Sequence, residues 1–205
     1  MTRHVIYRRI ATPLVVLVAS AGLMSACSGA GSSQTPPPAD SSTSTSAPST
    51  ASAPAAPSDP LAAAAWEALM APTGEYAAAA SYAAVIEKFG EVEPYASIKA
   101  AEEQHIAALT RQLERRGVTV PANPWLGRVA APADLATAAA AWADGEDANV
   151  ALYDRLLSAA ESDATLTRVF TNLRRASLDQ HLPMFEAAAE NGGTLSADQM
   201  QSSAH

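Results

Sequence analysis

Residues three apart on a helix share a face, so Glu102 and His105 form an E-x-x-H pair whose carboxylate and imidazole can close on one cation. The pair interrupts the series Ile98, Glu102, His105, Leu109 and Leu113, which is otherwise apolar and whose steps of four, three, four and four aim it into a core. Three further series carry similar interruptions. Glu75 leads Ala79, Tyr82, Ile86 and Phe89; Glu146 and Asn149 lie between Trp142 and Tyr153; His181 follows Phe170, Leu173 and Ser177 and precedes Met184. Buried carboxylates are costly unless they are protonated or meet a cation. Three carboxylates and two imidazoles suit an iron or manganese ion, with zinc a further fit.

Each of these residues also has a plainer reading. Glu75 can serve as a first-turn acid favoured by the helix dipole. A phase slip of one residue would turn Glu146 out and Asp147 in, and a single His on an apolar face is commonly a hydrogen-bonded core residue. Coincidence favours the metal reading: setting aside the terminal His4 and His205, both histidines lie on inward stripes level with inward glutamates. Glu87, Glu103 and Asp154 read as solvated. Tyr82 and Tyr153 read as core, with hydrogen bonding to the ligands as the sharper alternative.

The elements that must position these residues are helical throughout. Residues 61–191 are rich in Ala, Leu, Glu and Arg and show no long β-branched alternation. The spacing predicts main helices over residues 75–89, 94–116, 134–160 and from the Glu161-Ser162-Asp163 turn to about residue 191, with an earlier turn or two over residues 61–70. Gly90, Gly117 and Gly192-Gly193 supply stops, and Pro183 is expected to kink the last helix. Short connections make the first two helices, and the last two, antiparallel hairpins. The stretch 117–131 can span roughly 50 Å, more than the ~35 Å of the second helix, so a crossover making the second and third helices parallel is feasible. Glu75 and His105 are equidistant from Gly90, and Glu146 and His181 from the Ser162-Asp163 turn, so all four fall in one layer.

The N-terminal part follows a different logic. Arg3, Arg8 and Arg9, the apolar run 11–24 and then Ser25, Ala26 and Cys27 have the layout of an export signal. The run is shorter than the ~20 residues of a membrane span. It ends at Cys27 as the lipid-attachment box of bacterial lipoproteins does, although Met24 stands where that box usually has Leu. Residues 28–60 are mostly Ser, Thr, Ala and Pro, and such a segment stays disordered because little apolar surface offsets the entropy of ordering it. It reads as a linker of roughly 30 Å as a coil, or about 100 Å if extended. Residues 192–205 are expected to be a flexible tail.

The charge of the whole chain is -8. Residues 1–27 hold three Arg and no acid, so the remainder carries a formal -11. Such an acidic domain excludes nucleic acid and a basic lipid-binding face. One cysteine excludes an internal disulfide and an all-cysteine metal site.

The chain resembles the ferritin-like superfamily, nearest to a rubrerythrin-related bacterial domain of unknown function, over roughly residues 68–188. The likeness is carried by Glu75 before Tyr82, the Glu87-Lys88-Phe89-Gly90 end, Ile98 with Glu102-Glu103-Gln104-His105, and Val169-Phe170-Thr171-Asn172-Leu173 leading to Gln180-His181-Leu182 and Phe185. It implies an all-α, ferritin-like four-helix bundle with Glu75, Glu102, His105, Glu146 and His181 at ligand positions. One departure stands out. A complete dinuclear centre would carry a second E-x-x-H, but Leu178 stands three before His181, with Asn149 and Asp147 as the only local substitutes. A reduced site, down to a single ion, is therefore expected.

The resulting expectation is an exported cell-envelope lipoprotein, anchored in the cell membrane through Cys27 and facing outward, with a metal-binding bundle serving oxidative-stress defence or metal handling. If it is an enzyme, it is a metal-dependent oxidoreductase acting on peroxide or dioxygen. The alternative is a metal-free interaction module of the same fold, displaying its acidic face to another envelope protein.

Overall fold

The computed structural model describes residues 55–203. The expected signal, Cys27 and the linker up to residue 54 lie outside the described residues. Within them the chain is all-helical: α1 (Pro60–Met70), α2 (Glu75–Phe89), α3 (Tyr95–Glu114), α4 (Leu135–Ala159), α5 (Ala164–Ala176), a π-helical turn (Ser177–His181), α6 (Leu182–Glu190) and α7 (Ala197–Ser203). Among the described residues no helix is long and apolar enough to cross a membrane.

Local chemistry sets the starts. Asp59, Asp134 and Asp163 accept hydrogen bonds from the first free N–H groups of α1, α4 and α5, each contribution being worth about 1 kcal/mol. Asp59 and Pro60, assigned by composition to the linker, thus cap and open a full helix where only a turn or two was expected.

The α2 and α3 helices pack as one hairpin, and α4 packs along α5 and α6 as a second. Direction follows from contacts. The Tyr95 hydroxyl at the start of α3 donates to the Leu135 carbonyl at the start of α4 (3.1 Å), while Leu109 and Leu113 share an apolar cluster with Leu152 and Leu156 from the far end of α4. The α3 and α4 helices therefore run the same way, and residues 115–134 cross the full length between them. That segment lies along α2. The Tyr76 hydroxyl donates to the Pro121 carbonyl (2.8 Å), the Asn123 amide to the Tyr76 carbonyl (2.7 Å), and Lys88 Nζ to the Pro132 carbonyl (2.6 Å). Covering by this strap explains why residues 75–82, half of them alanine, are buried on every face.

The fourth helical segment contains the largest local departure from regularity. Its buried series is Phe170, Leu173, Ser177, His181, Phe185 and Ala188, with three successive steps of four. In an ideal α-helix each such step drifts about 40° around the axis. The π-helical turn absorbs the drift: the Leu182 N–H donates to the Ser177 carbonyl five residues back, and Pro183, which has no N–H, follows at once. The kink expected at Pro183 thus takes the form of a wide turn just before it. The same turn moves the buried position from Met184, as expected, to Phe185; Met184 is only partly buried.

A second difference lies after Asn191. Instead of a flexible tail, the chain buries Leu195, whose N–H donates to the Glu93 carbonyl at the α2–α3 turn (2.9 Å), and then forms α7.

The core has two main apolar clusters. One gathers Trp66, Leu69, Leu109, Leu113, Tyr153, Leu156, Leu166 and Phe170; the other gathers Tyr82, Val85, Tyr95, Ile98, Ala138 and Phe185. In sequence, α3, α4 and the segment from α5 to α6 each pass from one cluster to the other through the residues singled out as ligands.

Candidate metal centre

Glu75 is placed by a break in the chain. Gly74 packs so closely on the end of α1 that a Cβ there would lie 2.3 Å from the Ala68 carbonyl oxygen. This close approach ends α1, turns the chain, and makes Glu75 the first residue of α2, where its carboxylate is 1% exposed. Glu102 and His105 come from mid-α3, Glu146 from mid-α4 and His181 from the π-helical turn. All five expected residues meet in one layer. Glu146 faces inward and Asp147 is exposed, so α4 keeps the expected phase.

They form two triads that share Glu102. In the first, His105 Nδ1 lies 3.0 Å from Glu102 Oε2 and 3.3 Å from Glu75 Oε2. In the second, His181 Nδ1 lies 3.2 Å from Glu102 Oε1 and 3.6 Å from Glu146 Oε1. Within each triad the candidate ligand atoms all fall within 4.8 Å of one another. The two imidazoles stack at 5.5 Å between centroids.

The layer is held in place by hydrogen bonds from behind. The Tyr82 hydroxyl donates to Glu146 Oε1 (2.6 Å), and the Tyr153 hydroxyl donates to Glu75 Oε1. Both tyrosines are thus core residues and ligand-orienting donors at once. The Asn149 amide donates to the Thr73 carbonyl (3.0 Å) and reaches Glu75 Oε1 at 3.5 Å, while Ser177 Oγ donates to Asn149 Oδ1 (2.9 Å).

That last pair changes the reading of the fourth helix. Leu178, three before His181, is an exposed residue, and the buried residue is Ser177, four before it. The wide turn makes position 177 the inward neighbour of His181. A hydroxyl paired with the Asn149 amide occupies the side of the layer where a complete dinuclear centre would carry a further carboxylate. Asn149 had been singled out as a local substitute, whereas Asp147 points away. Ser177 already stood on the inward series read from the sequence, four residues from both Leu173 and His181.

The electrostatics follow from burial of like charges around two imidazoles. Burial pushes the Glu75 carboxyl up to about 7, helped by repulsion from Glu102 and a carboxyl–carboxyl hydrogen bond, against the pull of His105. Burial acts to raise Glu102 too, but hydrogen bonding with Glu75 and His105, together with the nearby His181 imidazole, outweighs it and holds the carboxyl at about 2. Burial would lower both imidazoles. The Glu102 and Glu75 carboxylates instead raise His105 to about 10, and Glu102 and Glu146 raise His181 to about 9. Protons on the imidazoles therefore supply the positive charge that the carboxylates require.

One atom is not accommodated by this scheme. His181 Nδ1 is buried and makes no hydrogen bond, although two carboxylate oxygens lie close to it. Glu146 Oε1 is too far away for one, and Glu102 Oε1 lies off the direction of its N–H. Donors that converge on a shared point rather than on one another are what a cation requires. The donor set, oxygen-rich with one imidazole per triad, fits a first-row divalent ion.

Glu103 and Asp154 lie outside this layer as expected, paired at the surface with Lys99 and Arg174. Set against known proteins, the chain matches no family model, no curated protein and no solved structure.

Proposed function

We propose that this is a metal-binding protein of the cell envelope: a ferritin-like four-helix bundle, in which α1 with α2 and α5 with α6 each act as one long helix, held to the membrane by a lipid on Cys27. The central layer binds iron or manganese, with Glu75, Glu102 and His105 around one position and Glu102, Glu146 and His181 around a second. Room for two ions sharing Glu102 goes beyond the single ion expected from the missing carboxylate. The observation that carries this reading is the buried, unsatisfied Nδ1 of His181 facing two carboxylates.

A bound redox-active ion would supply one-electron chemistry with peroxide or dioxygen, which suits oxidative-stress defence or metal handling. The protein's own part is to fix the ligands from behind through Tyr82, Tyr153 and Asn149. Solvent comes closest at His105, whose side chain is 13% exposed. The alternative, a metal-free interaction module, draws on the proton-balanced layer around His105, which satisfies its own charges.

Elemental analysis of the purified chain, before and after reconstitution with iron(II) or manganese(II), decides between them. We expect near-stoichiometric metal, lost in a Glu102→Ala/His105→Ala variant. No metal after reconstitution would leave the interaction module.

A further inference from the structure

Beyond the five candidate ligands, the layer has an aromatic exit. The Tyr82 ring is fully buried, its hydroxyl bonded to Glu146 Oε1 at 2.6 Å, and it meets the Trp142 ring in an edge-to-face contact with 4.6 Å between centroids. Trp142 is partly exposed. From the candidate ligand to solvent there are thus two contacts, one hydrogen bond and one ring contact.

The indole is set in this position by its own helix. Gly145, in the middle of α4, lies under it, and a Cβ at that position would stand 2.7 Å from Trp142 Cε3. Glycine inside a helix costs about 1 kcal/mol relative to alanine. Here it lets the indole lie down along α4 towards Tyr82. Tyr153, the other tyrosine on the layer, has no such continuation: its ring neighbour is Phe170, 5.6 Å away and fully buried.

We propose that Trp142, Tyr82 and Glu146 form a one-electron relay between the buried layer and a one-electron acceptor at the Trp142 surface. The acceptor takes an electron from the Trp142 indole and is itself reduced. Tyr82 returns that electron to the indole, and its phenolic proton moves across the hydrogen bond to Glu146 Oε1, leaving a neutral tyrosyl radical. A reduced metal ion in the layer then gives one electron to Tyr82, Glu146 returns the proton, and the net change is one electron from metal to acceptor. The last step rests on the metal reading; the transfer from Tyr82 to Trp142 does not.

The test uses the full chain, metal-free, with photogenerated tris(bipyridine)ruthenium(III) as acceptor and freeze-quench electron paramagnetic resonance as readout. We expect a neutral tyrosyl signal that Tyr82→Phe removes, that Trp142→Phe and Gly145→Ala delay, and that Tyr95→Phe, whose hydroxyl bonds only the Leu135 carbonyl, retains. Circular dichroism melting checks that each variant is folded, and Gly145→Ala keeps every aromatic ring in the chain. A signal unchanged by Tyr82→Phe, or one lost with Tyr95→Phe instead, overturns the relay. In the iron(II)-loaded chain the radical should decay as iron is oxidised; a radical that persists beside bound iron(II) overturns the link to the layer. If no iron binds, the metal reading fails, and the metal-free comparison still decides the Trp142–Tyr82 transfer.

Discussion

Glu102 lies between two histidines and two other glutamates, and its neighbours set how the metal-free layer answers to pH. Its carboxyl, near 2 when folded against an ordinary 4.5, contributes stability that is present above pH 4.5 and lost as pH falls towards 2. His105 and His181, raised from 6.5 to about 10 and about 9, contribute stability that is present below pH 6.5 and lost as pH rises through those values. Glu75, raised to about 7, adds a loss between pH 4.5 and 7. The metal-free chain should therefore melt at its highest temperature near pH 4.5 and progressively lower towards pH 10. Thermal melts by circular dichroism in chelator, from pH 4 to 10, check this; a melting temperature that rises from pH 6.5 to 9 contradicts it. At this scale the sequence was informative. Helical spacing alone singled out Glu75, Glu102, His105, Glu146 and His181, because a charge on an apolar stripe is visible without knowing what the stripe packs against. Ser177 stood on the inward series as well; what the spacing could not show is its pairing with Asn149.

Among the elements, the breaks matter as much as the helices. The interruption at Gly74 delivers Glu75, and the π-helical turn delivers His181 together with Ser177. Gly74→Ala would force a Cβ against the Ala68 carbonyl and push α1 from α2. We expect a loss of about 2 kcal/mol or more, in the range of overpacked cores, and weaker metal retention because Glu75 moves with the backbone. A denaturant titration and metal analysis of the variant read the two effects separately; wild-type values for both would show that the break tolerates a side chain. The boundaries of α2, α3 and α4 were legible to within two residues because glycine and aspartate mark their ends. The full length of α1 was not, since its alanines carry little periodic contrast and its burial depends on α3 and α4. The α7 helix was hidden for a related reason: what anchors the chain there is one buried leucine and a backbone hydrogen bond to Glu93, neither of which leaves a pattern.

For the molecule as a whole, connection lengths allowed the crossover, and the contacts of residues 115–134 with Tyr76, Met70 and Lys88 show its course. The layer of acids and imidazoles lies between the two main apolar clusters rather than inside either. Apolar packing is therefore interrupted at mid-height, and what joins the halves there is a set of polar contacts whose strength depends on protons or on an ion. Such an arrangement divides the chain into two cooperative units. In amide hydrogen exchange of the metal-free chain, the Ile98–Tyr82–Phe185 half and the Leu109–Tyr153–Phe170 half should open at different free energies. Metal added to the same sample should merge them into one. Uniform protection without metal would mean that the polar layer transmits cooperativity as well as a hydrocarbon core does. If the halves do separate and added metal merges them, the ion proposed for the layer would do more than occupy a site: its arrival would be the event that makes the domain a single folding unit.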